Sequence, residues 1–268
     1  MQGIKKFILL ILLGYGTTGW AQPTLNELLS TANTSAEKKE EAYARIQSII
    51  LGSLTDHSAD RKVLHRVFRK IHTTFLKQYE AYSDFNGLFT EGKYDCLTAT
   101  SLFSHVLSQM KFDFDVIETN YHIFIMVQTS EGEVMLETTD RLGGFVTDPQ
   151  VIAKRTKDYR NNFPTPRNGD QVVYNYSCKL YQTVPTENLP GLLMYNQAVK
   201  AYNRGEWLNC ALALEKAHAS YATARCGELG DILIRTIMVR EVPEPIKIAC
   251  LTHLKPLLMA KAGAVAAN

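Results

Sequence analysis

The clearest periodicity in the chain lies in 59–82, where Leu64, Phe68, Ile71, Phe75 and Tyr79 recur at spacings of three and four. That spacing lines one face of a helix and predicts an amphipathic α-helix over the segment. Upstream, a charged stretch over 37–41 separates Leu25, Leu28 and Leu29 from Ile46, Ile49 and Ile50. The 24–53 region therefore reads as two helices or one broken helix. The 83–93 segment carries Asp84, Asn86, Gly87 and Gly92 and reads as a loop. A helix opening at Cys96 then presents Leu97, Leu102, Phe103, Val106, Leu107 and Met110. Three runs rich in β-branched and aromatic residues follow, 112–118, 123–127 and 134–138. They predict strands, with a hairpin turn at Thr129-Ser130-Glu131-Gly132. The 150–170 stretch is charged and turn-rich, and 171–184 alternates in the manner of a strand.

From Gly191 the pattern becomes helical. Leu192, Tyr195, Ala198, Val199 and Tyr202 define one helix, stopped by Asn203-Arg204-Gly205. Trp207, Cys210, Leu214, Ala217 and Tyr221 define the next, and two more are predicted over 224–240 and 245–262. The fold class is α+β: a helix packed on an antiparallel sheet, followed by an all-α tail. The domain boundaries follow as 22–185 for the mixed domain and 190–262 for the helical one, with 185–190 as linker.

Composition adds limits. The chain has 268 residues, 46% hydrophobic and 21% charged, with a net charge of +2. These values describe a globular protein, and no basic patch in the sequence argues for a nucleic-acid partner. The N-terminus departs from the rest. Lys5 and Lys6 precede a short apolar run, and Gly19-Trp20-Ala21 offers small residues at a cleavage site. Segment 1–21 therefore reads as a signal peptide. Its apolar run, Phe7 to Leu13, falls well short of the roughly 20 apolar residues that span a bilayer as a helix, so no stable membrane anchor is expected after cleavage. The mature chain would be exported, periplasmic or secreted. The five cysteines, at 96, 178, 210, 226 and 250, form an odd set that leaves at least one unpaired within the chain. Their spacing does not resemble a zinc site.

The candidate chemistry centres on Cys96, His122 and Glu137. A thiol at a helix N-terminus feels the positive end of the macrodipole, which lowers its pKa; Asp95 next to it works partly against this. His122 follows 26 residues later at a strand start, and Glu137 comes 15 residues after that. A nucleophile, a base and an orienting acid are the parts that covalent acyl chemistry needs. The acid depends on hairpin register. If Gln128 opposes Glu133, Glu137 shares the His122 face; a turn one residue shorter brings Asp140 there instead. Glu137 is preferred because it lies inside the strand pattern. His105 is nine residues down the Cys96 helix and too far to serve.

The segments Tyr94-Asp95-Cys96, 121–127 and 134–140 resemble the core of the transglutaminase-like superfamily. The resemblance covers about 84–145. It implies a papain-like fold, with a nucleophile helix packed on an antiparallel sheet that carries the His and the acid. Its members include transglutaminases, peptidases, amidases and inactive relatives. Glu137 stands where Asp is commoner, and Val134 and Met135 replace the usual aromatic residue ahead of the acid. Tyr195-Asn196-Gln197-Ala198 through Ala217 is similar to one tetratricopeptide unit.

The leading expectation is an exported thiol enzyme acting on amide bonds of a peptide or protein substrate, with no cofactor and no metal. The alternative is a catalytically inactive protein-binding module that uses the core as scaffold and the helical tail as partner surface.

Overall fold

The computed structural model describes residues 24–32, 34–54, 60–161 and 180–266. The chain opens with α1 (Leu25–Ser30), α2 (Ala36–Leu54) and α3 (Asp60–Thr74). The predicted stripe of α3 is buried at Leu64, Phe68 and Ile71. The helix stops at Thr74, short of the expected 82. Beyond it, Gln78–Tyr79 (β1) pairs in parallel with Lys93–Tyr94 (β2), so backbone groups that a longer helix would use are spent between strands. The predicted loop between them contains a single turn, α4 (Gly87–Thr90), whose first N–H donates to Asp84 Oδ1 at 2.9 Å.

The central element is α5 (Cys96–Gln109). Asp95 caps it in a reciprocal box with Thr98: Thr98 N–H donates to Asp95 Oδ1 at 2.8 Å, and Asp95 N–H to Thr98 Oγ1 at 2.9 Å. Every residue from Leu97 to Leu107 is buried, as befits a helix enclosed on all sides. It lies between the sheet on one side and α2 and a tail helix, Leu189–Asn203, on others.

The sheet comprises β3 (Asp113–Thr119), β4 (Ile123–Thr129), β5 (Gly132–Leu136), β6 (Phe145–Val146) and, after helix α6 (Pro149–Asn161), β7 (Tyr181–Val184). Among the described residues it has five strands, all antiparallel, in the order β6-β5-β4-β3-β7. Alternation sorts its side chains cleanly. Val116, Ile123, Ile125, Val127, Val134 and Leu136 join the main core under α5. Ile117, Phe124 and Met135 join a smaller cluster with Ile152 and Tyr159 of α6 on the other face. That helix corrects the turn-rich reading over 150–161; the rest of that stretch, 162–170, lies outside the described residues. Asp148 accepts the Gln150 N–H at 2.8 Å and Pro149 occupies the first helical position, a start signal followed by fourteen residues without Gly or Pro.

The tail forms α7 (Leu189–Asn203), α8 (Trp207–Ser220), α9 (Ala224–Val239) and α10 (Glu244–Ala266). Gly205, at φ +74°, makes the tight turn between α7 and α8 that a Cβ would strain. The main cluster of buried apolar side chains takes in Leu25, Leu102, Ile125, Leu192, Leu214 and Leu257 together. The change of pattern at 185–190 is thus not a gap in packing, since a short 3₁₀ turn (Thr186–Asn188) leads directly into α7. Cys96, Cys210, Cys226 and Cys250 are free thiols. Cys178, the 1–21 segment and most of the strand predicted over 171–184 lie outside the described residues.

Candidate active site

Cys96 is the first residue of α5, and its placement follows from the Asp95 cap. The start of α5 is also stitched to the sheet. Thr138 Oγ1 lies 2.9 Å from Thr100 Oγ1 and 3.4 Å from the Cys96 carbonyl, and Thr100 Oγ1 lies 3.4 Å from the Ile123 carbonyl.

His122 closes the hairpin between β3 and β4. The Thr119 N–H donates to the His122 carbonyl at 2.8 Å, and the His122 N–H donates to Thr119 Oγ1 at 3.0 Å. This leaves Asn120 and Tyr121 as the turn.

Glu137 follows β5. Register in the next hairpin pairs Gln128 with Glu133 and Thr129 with Gly132, so Glu137 and His122 share a face. His122 Nε2 lies 2.5 Å from Glu137 Oε2. Asp140 instead accepts the Leu142 and Gly143 N–H groups in an exposed turn. Glu137 is seated by the same turn: its N–H donates to the Gly144 carbonyl at 2.8 Å. A Cβ at 144 would fall 2.3 Å from the carbonyl oxygens of both Glu137 and Asp140, so only glycine fits there.

Sequence reasoning missed the second partner of Glu137. Tyr159 of α6 donates its hydroxyl to Glu137 Oε1 at 2.7 Å, and its ring lies 5.2 Å from that of His122. Burial and the Glu137 carboxylate raise the Tyr159 pKa, which keeps the phenol a donor. The Asp148-Pro149 start was the sequence signal for α6, although nothing in it singled out Tyr159.

The two halves of the site belong to opposite faces of the sheet. His122 and Glu137 lie on the α6 face with Phe124 and Met135, whereas α5 packs the other. They meet at the sheet's end, where Cys96 and His122 line one cleft of about 290 Å³. Among the described residues no hydrogen bond joins the thiol to the imidazole. The thiol lies near the N–H groups of Leu97 and Ile123.

The thiol is not acidified in this state. Burial, then the Asp95 carboxylate, pushes it up from 9.0 to about 12, against the pull of those N–H groups. The macrodipole expectation is corrected accordingly: desolvation of a thiolate outweighs the helix end. Asp95 is itself buried, and its pKa is raised by that burial despite hydrogen bonds from Thr98 and Asn196.

The far wall of the cleft comes from the tail. Asn196 Nδ2 donates to Asp95 Oδ2 at 2.8 Å. Arg225 forms a buried ion pair with Glu118 and donates from Nη2 to the Asn120 carbonyl at 2.6 Å, in the His122 turn. Such long-range partners leave no local trace in a sequence. Among the described residues no cluster of three or more His, Cys, Asp or Glu side chains could hold a metal ion.

Fold and site together define an α+β protein with a thiol and a carboxylate-bound imidazole in one cleft. Comparison with protein-family models, with curated proteins and with solved structures finds no match to this chain.

Proposed function

We propose that the chain is an exported, transglutaminase-like thiol enzyme acting on amide bonds of peptides or proteins, with a tetratricopeptide-like hairpin in its tail. The observation that carries this reading is the His122–Glu137 hydrogen bond at the cleft that Cys96 also lines. With Nε2 committed to the carboxylate, Nδ1 is the ring nitrogen left for the thiol proton. Because the resting thiol is neutral, attack needs a base. His122 takes the proton as Sγ bonds to the carbonyl carbon, and Glu137 stabilises the imidazolium. The Cys96 N–H, which has no intrahelical acceptor at the first helical position, faces the developing oxyanion. The tetrahedral adduct then expels the amine, which takes the proton from His122. Water or a second amine resolves the thioester. Catalytic hydrogen bonds often tighten only when substrate fills the site, which accommodates the open thiol–imidazole geometry.

The raised thiol pKa and that same open geometry favour a second reading, an inactive core serving as a binding scaffold. Iodoacetamide alkylation of Cys96 at pH 7, followed by peptide mapping, separates the two. The enzymatic reading expects His122→Ala to slow alkylation by about a hundredfold, the usual range for a lost general base. An equal rate in both proteins would favour the scaffold.

A further inference from the structure

We infer that the cleft wall built by α7 is a subsite for a bulky aromatic side chain of the acyl donor, a reading that rests on the thiol site proposed above. The cleft extends from Cys96 between two walls. Tyr79 and Tyr82, from the segment joining α3 to α5, form one; Leu192, Tyr195 and Val199 of α7 form the other. Its volume of about 290 Å³ is at the small end for ligand sites, suited to one large side chain and its flanking amides. The charged groups that reach the cleft are engaged with protein. Asp95 is held by Thr98 and Asn196, and Glu118 and Arg225 hold each other. A charged side chain entering the cleft would lose water without gaining a counter-charge, whereas an aromatic ring would meet rings and aliphatic carbon.

The backbone gives an independent indication. Tyr82 has φ +60°, a left-handed conformation that a bulky residue rarely adopts and that clusters at ligand clamps when surrounding structure enforces it. Here α7 enforces it. Gln197 Nε2 donates to the carbonyls of Tyr82 and Ser83 at 3.3 and 3.2 Å, and the Asn203 side chain hydrogen-bonds the Tyr82 hydroxyl. One wall of the cleft thus holds the other in a strained pose that sets the spacing between them.

The test uses N-acetyl amino-acid chloromethyl ketones carrying Phe, Gly, Asp or Lys, with the full chain. In each labelling event Cys96 Sγ bonds to the methylene carbon, the C–Cl bond breaks, chloride leaves, and the thiol proton passes to His122. Intact mass and peptide mapping follow the label. The Phe probe should react at least about tenfold faster than the other three, as an apolar pocket discriminates. Tyr82→Gly removes the ring while relieving the strained φ, and Val199→Trp fills the pocket; each should bring the Phe-to-Gly ratio toward one. Equal rates for all four probes, or a ratio that neither variant moves, would overturn the subsite and leave the thiol reading standing. If no probe labels Cys96, the thiol reading fails. NMR binding of N-acetylphenylalaninamide against N-acetylaspartate amide to the Cys96→Ala chain then decides the subsite alone. Preference for the aromatic ligand, weakened by Tyr82→Gly, supports it; no preference overturns it.

Discussion

Two carboxylates are buried at the same end of the sheet, on opposite faces, with different partners. Glu118, 2% exposed, lies on the α5 face with the Arg225 guanidinium, the Tyr221 hydroxyl at 2.6 Å and Gln182 Nε2 at 3.0 Å. Glu137, 4% exposed, lies on the α6 face with the His122 imidazole and the Tyr159 hydroxyl. Each therefore has one basic partner and one phenol. The bases differ. A guanidinium keeps its charge at any accessible pH, so the Glu118 cluster is a fixed tie between β3 and α9. An imidazole can take up and give back a proton in a reaction, and the His122 side chain keeps 16% of its surface open. Burial of a carboxylate does not by itself single out a candidate site. What sets Glu137 apart is a partner that can trade a proton and that lines a cleft.

The largest effect is expected at Arg225. Arg225→Met leaves Glu118 buried without its counter-charge and should cost about 3–5 kcal/mol in urea unfolding. Glu118→Gln combined with Arg225→Met should recover most of that loss; a single variant within 1 kcal/mol of wild type would mean the tie is not a tie. Glu137→Gln is the matching change on the other face. It removes a charge-assisted hydrogen bond of about 1.5–3 kcal/mol, and should slow Cys96 alkylation by roughly ten- to hundredfold. Asp140→Asn should leave the rate near wild type, and the reverse order would make Asp140 the orienting acid.

A smaller effect is expected in the pH dependence of stability. The Cys96 thiol is raised from 9.0 to about 12 in the folded chain, so the folded state holds a proton that the unfolded state releases. Its contribution is complete below pH 9 and is lost as pH rises toward 12. After discounting for the solvent the thiol still sees, the loss is about 2 kcal/mol or less. Cys96→Ser should flatten this limb of the stability–pH curve; an unchanged limb would show that the thiol is not buried in solution. The smallest effect is expected from Tyr159→Phe, about 0.5–1.5 kcal/mol for one hydrogen bond. It should appear as a shifted pH profile of alkylation, because Glu137 would then lean on His122 alone.

What could be read in advance was local. The Asp95-Cys96 helix start, the hairpin turn at Thr129–Gly132 (tightened to Ser130-Glu131 by the Thr129–Gly132 pair) and the four tail helices all carry their signals within a few residues. Parity of the hairpin could be framed from the sequence, with Glu137 and Asp140 as its two outcomes, and geometry then put Glu137 on the imidazole. The side of the sheet could not be read. Alternation says which residues share a face, but not which face α5 covers. At Cys96 desolvation outweighs the local field of the helix end, and burial there depends on partners such as Ile123 that come from far along the chain. Asn196 and Arg225 were illegible for the same reason: each meets its partner only after the tail has packed.

The shared core has a consequence for the order of assembly. Cys96 leaves the ribosome long before Asn196 and Arg225, the residues that hold the Asp95 cap and the His122 turn from the tail. The thiol of Cys96 and the imidazole of His122 are therefore made early, and their surroundings are completed late. Until α7 and α9 are made, the cleft lacks the wall that Leu192, Tyr195, Asn196, Val199 and Arg225 supply, so synthesis of the last helices works as a timer on when the cleft is complete.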